Sequence, residues 1–462
     1  MLIASLIVAE SVAIFEGSML YSTLATFYRL FGDPIAVGWI LTAYLLASAS
    51  SALILARLGD MFGRRRIILV VLIVGLAGSV VSGLSSTVMG IVAGRALQGL
   101  HSSVLPLSYG LMRQHLTREQ ATLGVGLFAT VMTVGGGVGL FIGGVIVDHL
   151  SWQWIFVFSS ALAIVAFFLV RKYVPAEHPA GEPEPVDVAG AIMLASGICA
   201  VLYAIGSSKH WGWADGRALA LILAGLGILA LFVRRELRID QPLVDVRLLR
   251  RRQTALANLG MMVIGLGPLQ AQPFLALLLQ QPPWTGAGLG LSAAYAGSLL
   301  FLPMTTALVG GPLAAWLTRR ISARFVLGLS GLTIFVAWGV MAIHHGSLWL
   351  IMSMMLGAAM AQAMASAAVP MLILDDTPPG RTSEATAVIT TLRPAAMGTG
   401  TQISSLILAT TMVSNPAMGP GQYPAESAFT LLLAFVAGTG LLCLGCAWAL
   451  PARAHTAGRA PD

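Results

Sequence analysis

The chain has 462 residues, of which 57% are hydrophobic and 10% are charged, and its mean hydropathy is +0.85. This composition excludes a soluble globular protein, in which about 45–50% of residues are apolar and about 25% are charged. The formal net charge of +7 would suit a nucleic-acid partner, but the basic residues follow a membrane pattern, so we expect no nucleic acid.

Fourteen apolar segments are long enough to cross a membrane as helices, since a span needs about 17–25 residues. In chain order they are Leu2–Leu24, Val37–Ala56, Ile67–Leu84, Thr87–Leu111, Ala121–Val147, Trp152–Val170, Val188–Ile205, Ala218–Val233, Ala255–Leu279, Leu289–Trp316, Phe325–Ile343, Leu348–Leu374, Ala385–Met412 and Ser427–Leu450. The sequence therefore predicts an all-α polytopic membrane protein.

The fourteen segments fall into groups of six, two and six, separated by a linker rich in proline and glutamate and by a strongly basic linker. The predicted parts are an N-terminal six-helix bundle at 1–172, a linker with two extra spans at 173–253, a C-terminal six-helix bundle at 254–450 and a cytoplasmic tail at 451–462. Loops on the side opposite the termini are short, so we expect no separate outer domain.

The distribution of basic residues predicts the orientation in the membrane. Outside the predicted spans, only Arg29, Lys209 and Arg217 lie on the side opposite the two termini. By the positive-inside rule, both termini are cytoplasmic and the first span is retained as a membrane helix. Arginine far outnumbers lysine, as in GC-rich bacterial genomes, so we expect the bacterial inner membrane.

Span one contains two acidic residues, Glu10 and Glu16. A charged residue inside the membrane costs about 2.5–3.5 kcal/mol on insertion scales and usually marks a functional site. We interpret both as candidates for proton coupling. Phe15, beside Glu16, is a candidate lining residue of a substrate cavity.

A charged stretch, Ala56-Arg57-Leu58-Gly59-Asp60-Met61-Phe62-Gly63-Arg64-Arg65-Arg66, joins spans two and three. It resembles the signature loop of the major facilitator superfamily, G-x-x-x-D-R/K-x-G-R-x-R/K, although Ala56 and Met61 replace two residues of that pattern. The resemblance implies a conformational switch loop with four matching residues: Asp60, Gly63, Arg64 and Arg66. We expect the aspartate to bind a neighbouring helix end in one conformation and to release it in another.

Span four contains Arg95 and Gln98, followed by Gly99 and His101. This segment resembles the R-x-x-Q-G motif of the same superfamily, which implies a role for Arg95 in proton handling. Arg95 and Glu16 lie at nearly the same membrane depth, so we predict that they meet. The pair is either a proton switch or a static ion pair. His101 is either a hydrogen-bonded interior histidine or a proton carrier.

Span five contains a glycine-rich stretch whose spacing places Gly135, Gly139 and Gly143 on one helix face. With Gly144, the stretch resembles the antiporter motif G-x-x-x-G-P-x-x-G-G, although Leu140 replaces its proline. The segment 148–156 resembles the W-x-W-I-F segment of the fourteen-span drug:proton antiporter branch. The resemblance implies two rocking six-helix bundles plus two inserted central helices. Simple close packing of small residues is the alternative interpretation.

A possible substrate cavity includes Phe15, Gln98, His101 and Arg393. Arg393 lies deep in span thirteen and either pairs with Glu10 or meets an anionic substrate. Glu384, at the start of the same span, is expected to cap the helix.

Proton-coupled export of drugs or other amphipathic small molecules by alternating access is the favoured function. A proton symporter that imports a nutrient is the alternative, and a polytopic membrane enzyme using the acidic pair Asp375-Asp376 is a remote one. We expect no enzymatic activity, no cofactor, no metal site and no ATP use, since there is no phosphate-binding loop. The predicted partners are the substrate, protons and membrane lipid, and the predicted oligomeric state is a monomer.

Overall fold

A computed structural model describes residues 1–176, 187–212, 214–239, 242, 246–376, 382–415 and 422–451 of the chain. The side chains of 374–376 and 382–387 lie outside the described part, and with them the predicted roles of Glu384 and of Asp375-Asp376.

The first half of the chain forms eight helices. They are α1 Leu2–Ser22, α2 Leu24–Phe31, α3 Pro34–Phe62, α4 Arg64–Leu84, α5 Val88–Gln98, α6 Val104–His115, α7 Arg118–His149 and α8 Trp154–Tyr173. Polar caps set several starts. The Asp33 side chain accepts from the Ile35 amide at the start of α3, and Thr117 and Gln120 form a capping box at the start of α7.

Two inserted helices follow, α9 Val188–Trp211 and α10 Gly216–Glu236. They pack against each other, and α9 also lies against α3 and α16, the helix Thr382–Leu408. Asp215 caps α10, and hydrogen bonds from Arg217 hold the pKa of Asp215 below its usual range. Its carboxylate therefore stays charged at the positive end of the helix.

The second half forms seven helices. They are α11 Arg252–Leu266, α12 Pro268–Gln280, α13 Ala293–Arg320, α14 Ala323–Ile343, α15 Leu348–Asp376, α16 and α17 Glu426–Ala449. Gly267, whose φ of −112° and ψ of −87° are not helical, separates α11 from α12, and Pro268 begins the second piece because its fixed φ suits a first helical position.

A short antiparallel hairpin, which the sequence did not predict, lies between α16 and α17. Strand β1 Met412–Ser414 pairs with strand β2 Gln422–Pro424. The last predicted turn of span thirteen, up to Met412, is therefore not helical. Its β-branched Thr410, Thr411 and Val413 favour extended backbone over helix.

Within the described residues, twelve helical segments are long and apolar enough to cross a membrane. The other two predicted spans are also helical. Span four corresponds to α5 and α6, which a 3-10 turn at Gly99–Ser103 joins, and span thirteen corresponds to the more polar α16.

The two bundles meet mainly at the end of the molecule opposite Leu2, which we call the distal end. There a shared core includes Phe27 of α2, Leu140 of α7, Phe274 of α12 and Phe429 of α17. At the other, proximal end, the N-terminal bundle has a core of its own, around residues such as Phe128. The described structure is thus closed at its distal end.

Candidate functional site

Five buried polar residues gather inside the N-terminal bundle, and we call them the Glu16 cluster. They are Glu16 of α1, Ser79 of α4, Arg95 and Gln98 of α5, and His101 of the 3-10 turn; each is at most 1% exposed. Buried polar groups of this kind need hydrogen-bond partners, because water cannot reach them.

The Glu16 carboxylate is held by three side chains. His101 Nδ1 lies 2.7 Å from Glu16 Oε2, and Gln98 Nε2 donates to Glu16 Oε1 at 3.0 Å. Ser79 Oγ also donates to Oε1, at 3.2 Å. The nearest titratable partner of the Glu16 carboxylate is therefore His101.

Arg95 does not bond directly to the Glu16 carboxylate. Its Nη1 donates to Gln98 Oε1 at 2.7 Å and to the Glu16 backbone carbonyl at 3.1 Å, and its Nε donates to the Ile40 carbonyl at 3.4 Å. The guanidinium also lies 4.3 Å from the ring centre of Tyr44. Arg95 and Glu16 thus lie in one cluster, and no direct ion pair joins their side chains. Gln98 stands between them because it lies one helical turn after Arg95, on the same face.

Two glycines make room for this arrangement. A Cβ at Gly75 of α4 would lie 2.0 Å from His101 Cε1, and one at Gly99 would lie 2.5 Å from the Tyr44 carbonyl. His101 Nε2 has no hydrogen-bond partner among the described residues. The His101 ring therefore occupies the space beside Gly75, with its Nδ1 facing the Glu16 carboxylate.

The sequence prediction missed Ser79, Tyr44 and Gly75. Gly75 and Ser79 are one turn apart, so they share the face of span three that looks toward His101 and Glu16. A small residue followed one turn later by a hydroxyl was the available signal, although small residues are common in membrane helices.

The predicted cavity residues are not together on an open surface in this structure. Gln98 and His101 are fully buried in the Glu16 cluster. Phe15 packs edge-on against Phe158 of α8, with ring centres 5.9 Å apart. Its ring thus belongs to helix packing within the bundle.

Glu10 and Arg393 are not paired. Glu10 is 4% exposed, and its Oε2 has no hydrogen-bond partner among the described residues. Arg393 is half-buried in α16, and no described carboxylate lies within 4.0 Å of it. Of the two predicted roles of Arg393, the pair with Glu10 is wrong for this conformation.

The switch loop is mostly helical. Helix α3 runs through Asp60 to Phe62, and α4 begins one residue later, after Gly63 with φ of 96°. Asp60 is exposed and pairs with Arg64 at 2.7 Å, while Arg66 is exposed. The helix carries the Asp60 side chain outward, so in this conformation its partner among the described residues is Arg64 and not the end of a neighbouring helix.

The three glycines of the predicted stripe face α1. A Cβ at Gly139 would lie 2.0 Å from Ser18 Oγ, and one at Gly143 would lie 2.6 Å from the Met19 carbonyl, whereas one at Gly135 would be only slightly too close to Ile14 Cγ2, at 3.3 Å. Gly144 lies on another face, where a Cβ would be 2.4 Å from the Ala293 carbonyl of α13. Helix α7 therefore contacts its own bundle and the opposite one through different glycines.

Asp148, at the distal end of α7, connects the two bundles. Its Oδ1 accepts from the Ala293 amide at 2.9 Å, and its Oδ2 accepts from the Ala294 amide at 2.8 Å. These amides begin α13, where the helix dipole favours a negative charge. We call this arrangement the distal clasp.

The family model of the Major Facilitator Superfamily matches residues 6–401 of the chain. Three similar curated proteins have names that describe export or multidrug transport. The chain is 27% identical over 395 residues to the tetracenomycin C resistance and export protein of Streptomyces glaucescens, over 82% of this chain and 69% of that one. It is 29% identical over 329 residues to the cephamycin export protein CmcT of Amycolatopsis lactamdurans, over 69% and 66%. It is 26% identical over 320 residues to the multidrug transporter protein MdtP of Bacillus subtilis, over 68% of this chain and only 58% of that one.

Solved structures share the fold at low sequence identity. The nucleoside transporter NupG, as its D323A mutant, superposes with a TM-score of 0.69 at 12% identity, over 97% of this chain and 100% of that one. The xylose transporter XylE of E. coli superposes with a TM-score of 0.63 at 11% identity, over 99% and 98%. The family match along most of the sequence and the common fold give one conclusion: the chain belongs to the Major Facilitator Superfamily.

Proposed function

We propose that the protein is a proton-coupled antiporter of the bacterial inner membrane that exports amphipathic small molecules by alternating access. The observation that carries this proposal is the Glu16 cluster, a carboxylate and a histidine 2.7 Å apart and fully buried beside an arginine. Such groups are costly inside a membrane and are retained where a proton or an ion must be handled. The export names of two relatives support the direction of transport.

Glu16 and His101 together form the proton site in this proposal. The hydrogen bond between them can hold one proton, and a second proton entering the pair removes the negative charge of the carboxylate. Loss of that charge weakens the hydrogen bond that Gln98 Nε2 donates to Glu16, and Gln98 also accepts from Arg95. Proton entry would thus loosen the link between α1 and α5.

The conformational part of the proposal consists of two contacts, each of which forms in only one of two states. In the described state the distal clasp is formed and Asp60 pairs only with Arg64 among described residues. In the alternate state the clasp opens, and Asp60 binds a helix N-terminus of the other bundle. Each acidic residue would then stabilise one state, which is the condition for a two-state switch.

All fourteen helical segments cross the membrane in this proposal, with both termini in the cytoplasm and the distal end outside. The distal-closed structure is then the state open toward the cytoplasm, from which an exporter collects its substrate. Arg393 remains a candidate for an anionic group of that substrate, since no described carboxylate neutralises it.

Transport by inverted membrane vesicles tests the proposal. Vesicles with and without the protein are energised to be acidic inside and given tetracenomycin C, a cephamycin or a lipophilic cationic dye. We expect accumulation that requires the protein and collapses with a protonophore, and none with the Glu16→Gln variant. Uptake in right-side-out vesicles instead would support the import alternative, and transport insensitive to protonophore would overturn proton coupling.

A further inference from the structure

An apolar groove lies between the inserted helix α9 and the N-terminal bundle, away from the Glu16 cluster. It encloses about 690 Å³, and its walls come from the starts of α3 and α5 and from the distal half of α9. Six of the lining residues are Asp33, Trp39, Met89, Cys199, Ala200 and Tyr203. Its volume falls within the ~300–1,000 Å³ typical of small-molecule sites.

The groove has an exposed rim. Met89 is 73% exposed and Tyr203 is 49% exposed there, and in the proposed orientation this part of the molecule faces lipid. Cys199 lies twelve residues before the end of α9, or about 18 Å along the helix axis. This length matches about one leaflet of a hydrocarbon core that is ~30 Å thick.

Polarity changes along the groove in the way that a lipid molecule requires. The deep end, around Cys199 and Ala200, is apolar, whereas Asp33 lies at the distal mouth beside the first turn of α3. Asp33 Oδ1 accepts from the Ile35 amide at 2.9 Å, and no described Lys or Arg lies within 4.0 Å of its carboxylate. Tyr203 and Trp39 supply the aromatic rings that favour the interface between lipid and water.

We propose that this groove binds one acyl chain of a distal-leaflet phospholipid whose headgroup carries a primary amine, with the ammonium at Asp33. The apolar length selects a hydrocarbon chain, and the acidic mouth selects a cationic headgroup over an anionic one. The inserted helix is required for this site, since α9 supplies one whole wall. The lipid fills the space between α9 and the bundle that holds Arg95.

Native mass spectrometry of the delipidated, full-length protein tests the proposal. Phosphatidylethanolamine, phosphatidylcholine and phosphatidylglycerol are added in turn, and bound lipid is counted. We expect one phosphatidylethanolamine to bind at least about fivefold more tightly than either of the other two. Phosphatidylglycerol has no ammonium group, and the quaternary ammonium of phosphatidylcholine has no N–H to donate to Asp33. Equal retention of the three lipids would overturn the headgroup assignment.

Two variants test the binding of the lipid headgroup and the binding of the acyl chain separately. Asp33→Asn keeps the helix cap, since asparagine caps as well as aspartate does, and should abolish the preference for phosphatidylethanolamine. Ala200→Trp should fill the groove and remove the bound lipid, whereas Leu223→Trp on α10, at a residue 70% exposed to the membrane, should leave it bound. An unchanged lipid count in Ala200→Trp overturns the site.

Modification of Cys199 on the folded protein avoids any effect on folding. A bulky maleimide at Cys199, with Cys443 and Cys446 buried, should expel the lipid. Retention of the lipid after complete labelling argues against the proposal. Displacement of the lipid by a transported compound would overturn the lipid assignment in favour of a second substrate site, and neither result depends on proton coupling.

Discussion

Glu16 shows at the scale of a residue why a single side chain can control transport. Its carboxylate is bound by His101, Gln98 and Ser79, while Arg95 is satisfied largely by backbone carbonyls and by Gln98. Removing the charge of Glu16 therefore does not leave the arginine without partners. A proton switch can therefore be distinguished from a static ion pair, because loss of a static pair would leave a buried charge uncompensated.

Glu16→Gln should give a folded protein that binds substrate and has lost proton-driven transport. The glutamine can keep hydrogen bonds to Gln98 and Ser79, so we expect a stability loss of only about 1–3 kcal/mol. Expression, thermal unfolding, substrate binding and vesicle transport are measured side by side, with Glu10→Gln as the matched variant in the same helix. Loss of expression would indicate the static pair, and retained pH-dependent transport would exclude both interpretations.

Gly75→Ala should displace His101, because the new Cβ would lie 2.0 Å from the ring. We expect a loss of stability of about 1–3 kcal/mol from overpacking and a loss of transport. Adding His101→Gly should recover the stability and leave transport impaired, a coupling that a double-mutant cycle measures. Gly339→Ala, where no atom lies within 4 Å, is the control. Independent effects of the two substitutions would contradict the proposed contact.

Helix α7 shows at the scale of an element how one helix serves two interfaces. Its distal glycines let α1 and α13 approach to backbone distance, and Asp148 binds the start of α13. Toward the proximal end, Gly126 of α7 and Gly311 of α13 both have open space. The closest approaches of glycines between the two helices, Gly144 to Ala293 and Gly297 to Leu140, thus lie toward the distal end.

Gly144→Ala should favour the distal-open state, because the added Cβ would lie 2.4 Å from the backbone of Ala293. A backbone atom cannot rotate away, so we expect the distal-closed state to lose about 1–3 kcal/mol relative to the distal-open one. Electron resonance distances between spin labels at Leu150 and Tyr295 measure the change. Gly126→Ala, where no atom lies within 4 Å, should reproduce the unsubstituted distance distribution. Identical distributions for both variants would refute the role of this contact.

At the scale of the whole molecule, helices α9 and α10 lie in the chain between the first eight helices and the last seven. In the proposed orientation, α9 covers the line where α3 and α16 meet, since it packs against both. The insert therefore lies where it can influence the relative movement of the bundles as well as form the lipid groove.

Thiol labelling of intact cells tests the fourteen-span topology. Single cysteines at Arg29, Ser347 or Gln422 should react with an impermeant reagent from outside, and cysteines at Arg118 or Arg320 should not. Position 118 tests whether α5 and α6 cross the membrane, and position 422 tests whether α16 does. Labelling at position 118 from outside would show that span four does not cross the membrane, and it would contradict the proposed depth of Arg95.

The sequence alone determined the membrane class, the helical segments and the residues that carry charge into the membrane. These features depend on local composition, because each span must satisfy its own backbone and be apolar over a fixed length. The sequence also placed Glu16 and Arg95 at one depth, since depth follows from counting residues along a helix. It missed the hairpin of β1 and β2, which needs two short strands separated in sequence to find each other.

Only the tertiary structure decided which of these groups touch. That Gln98 stands between Arg95 and Glu16, and that His101 takes the carboxylate, depends on how α1, α4 and α5 rotate and pack. It depends as well on the space left by Gly75. The tertiary structure also decided that Asp60 is exposed on α3 and that Asp148 binds the start of α13. Residue spacing fixes the face and depth of a side chain within one helix, but the partner is supplied by another helix whose rotation and distance are set by close packing across the whole bundle.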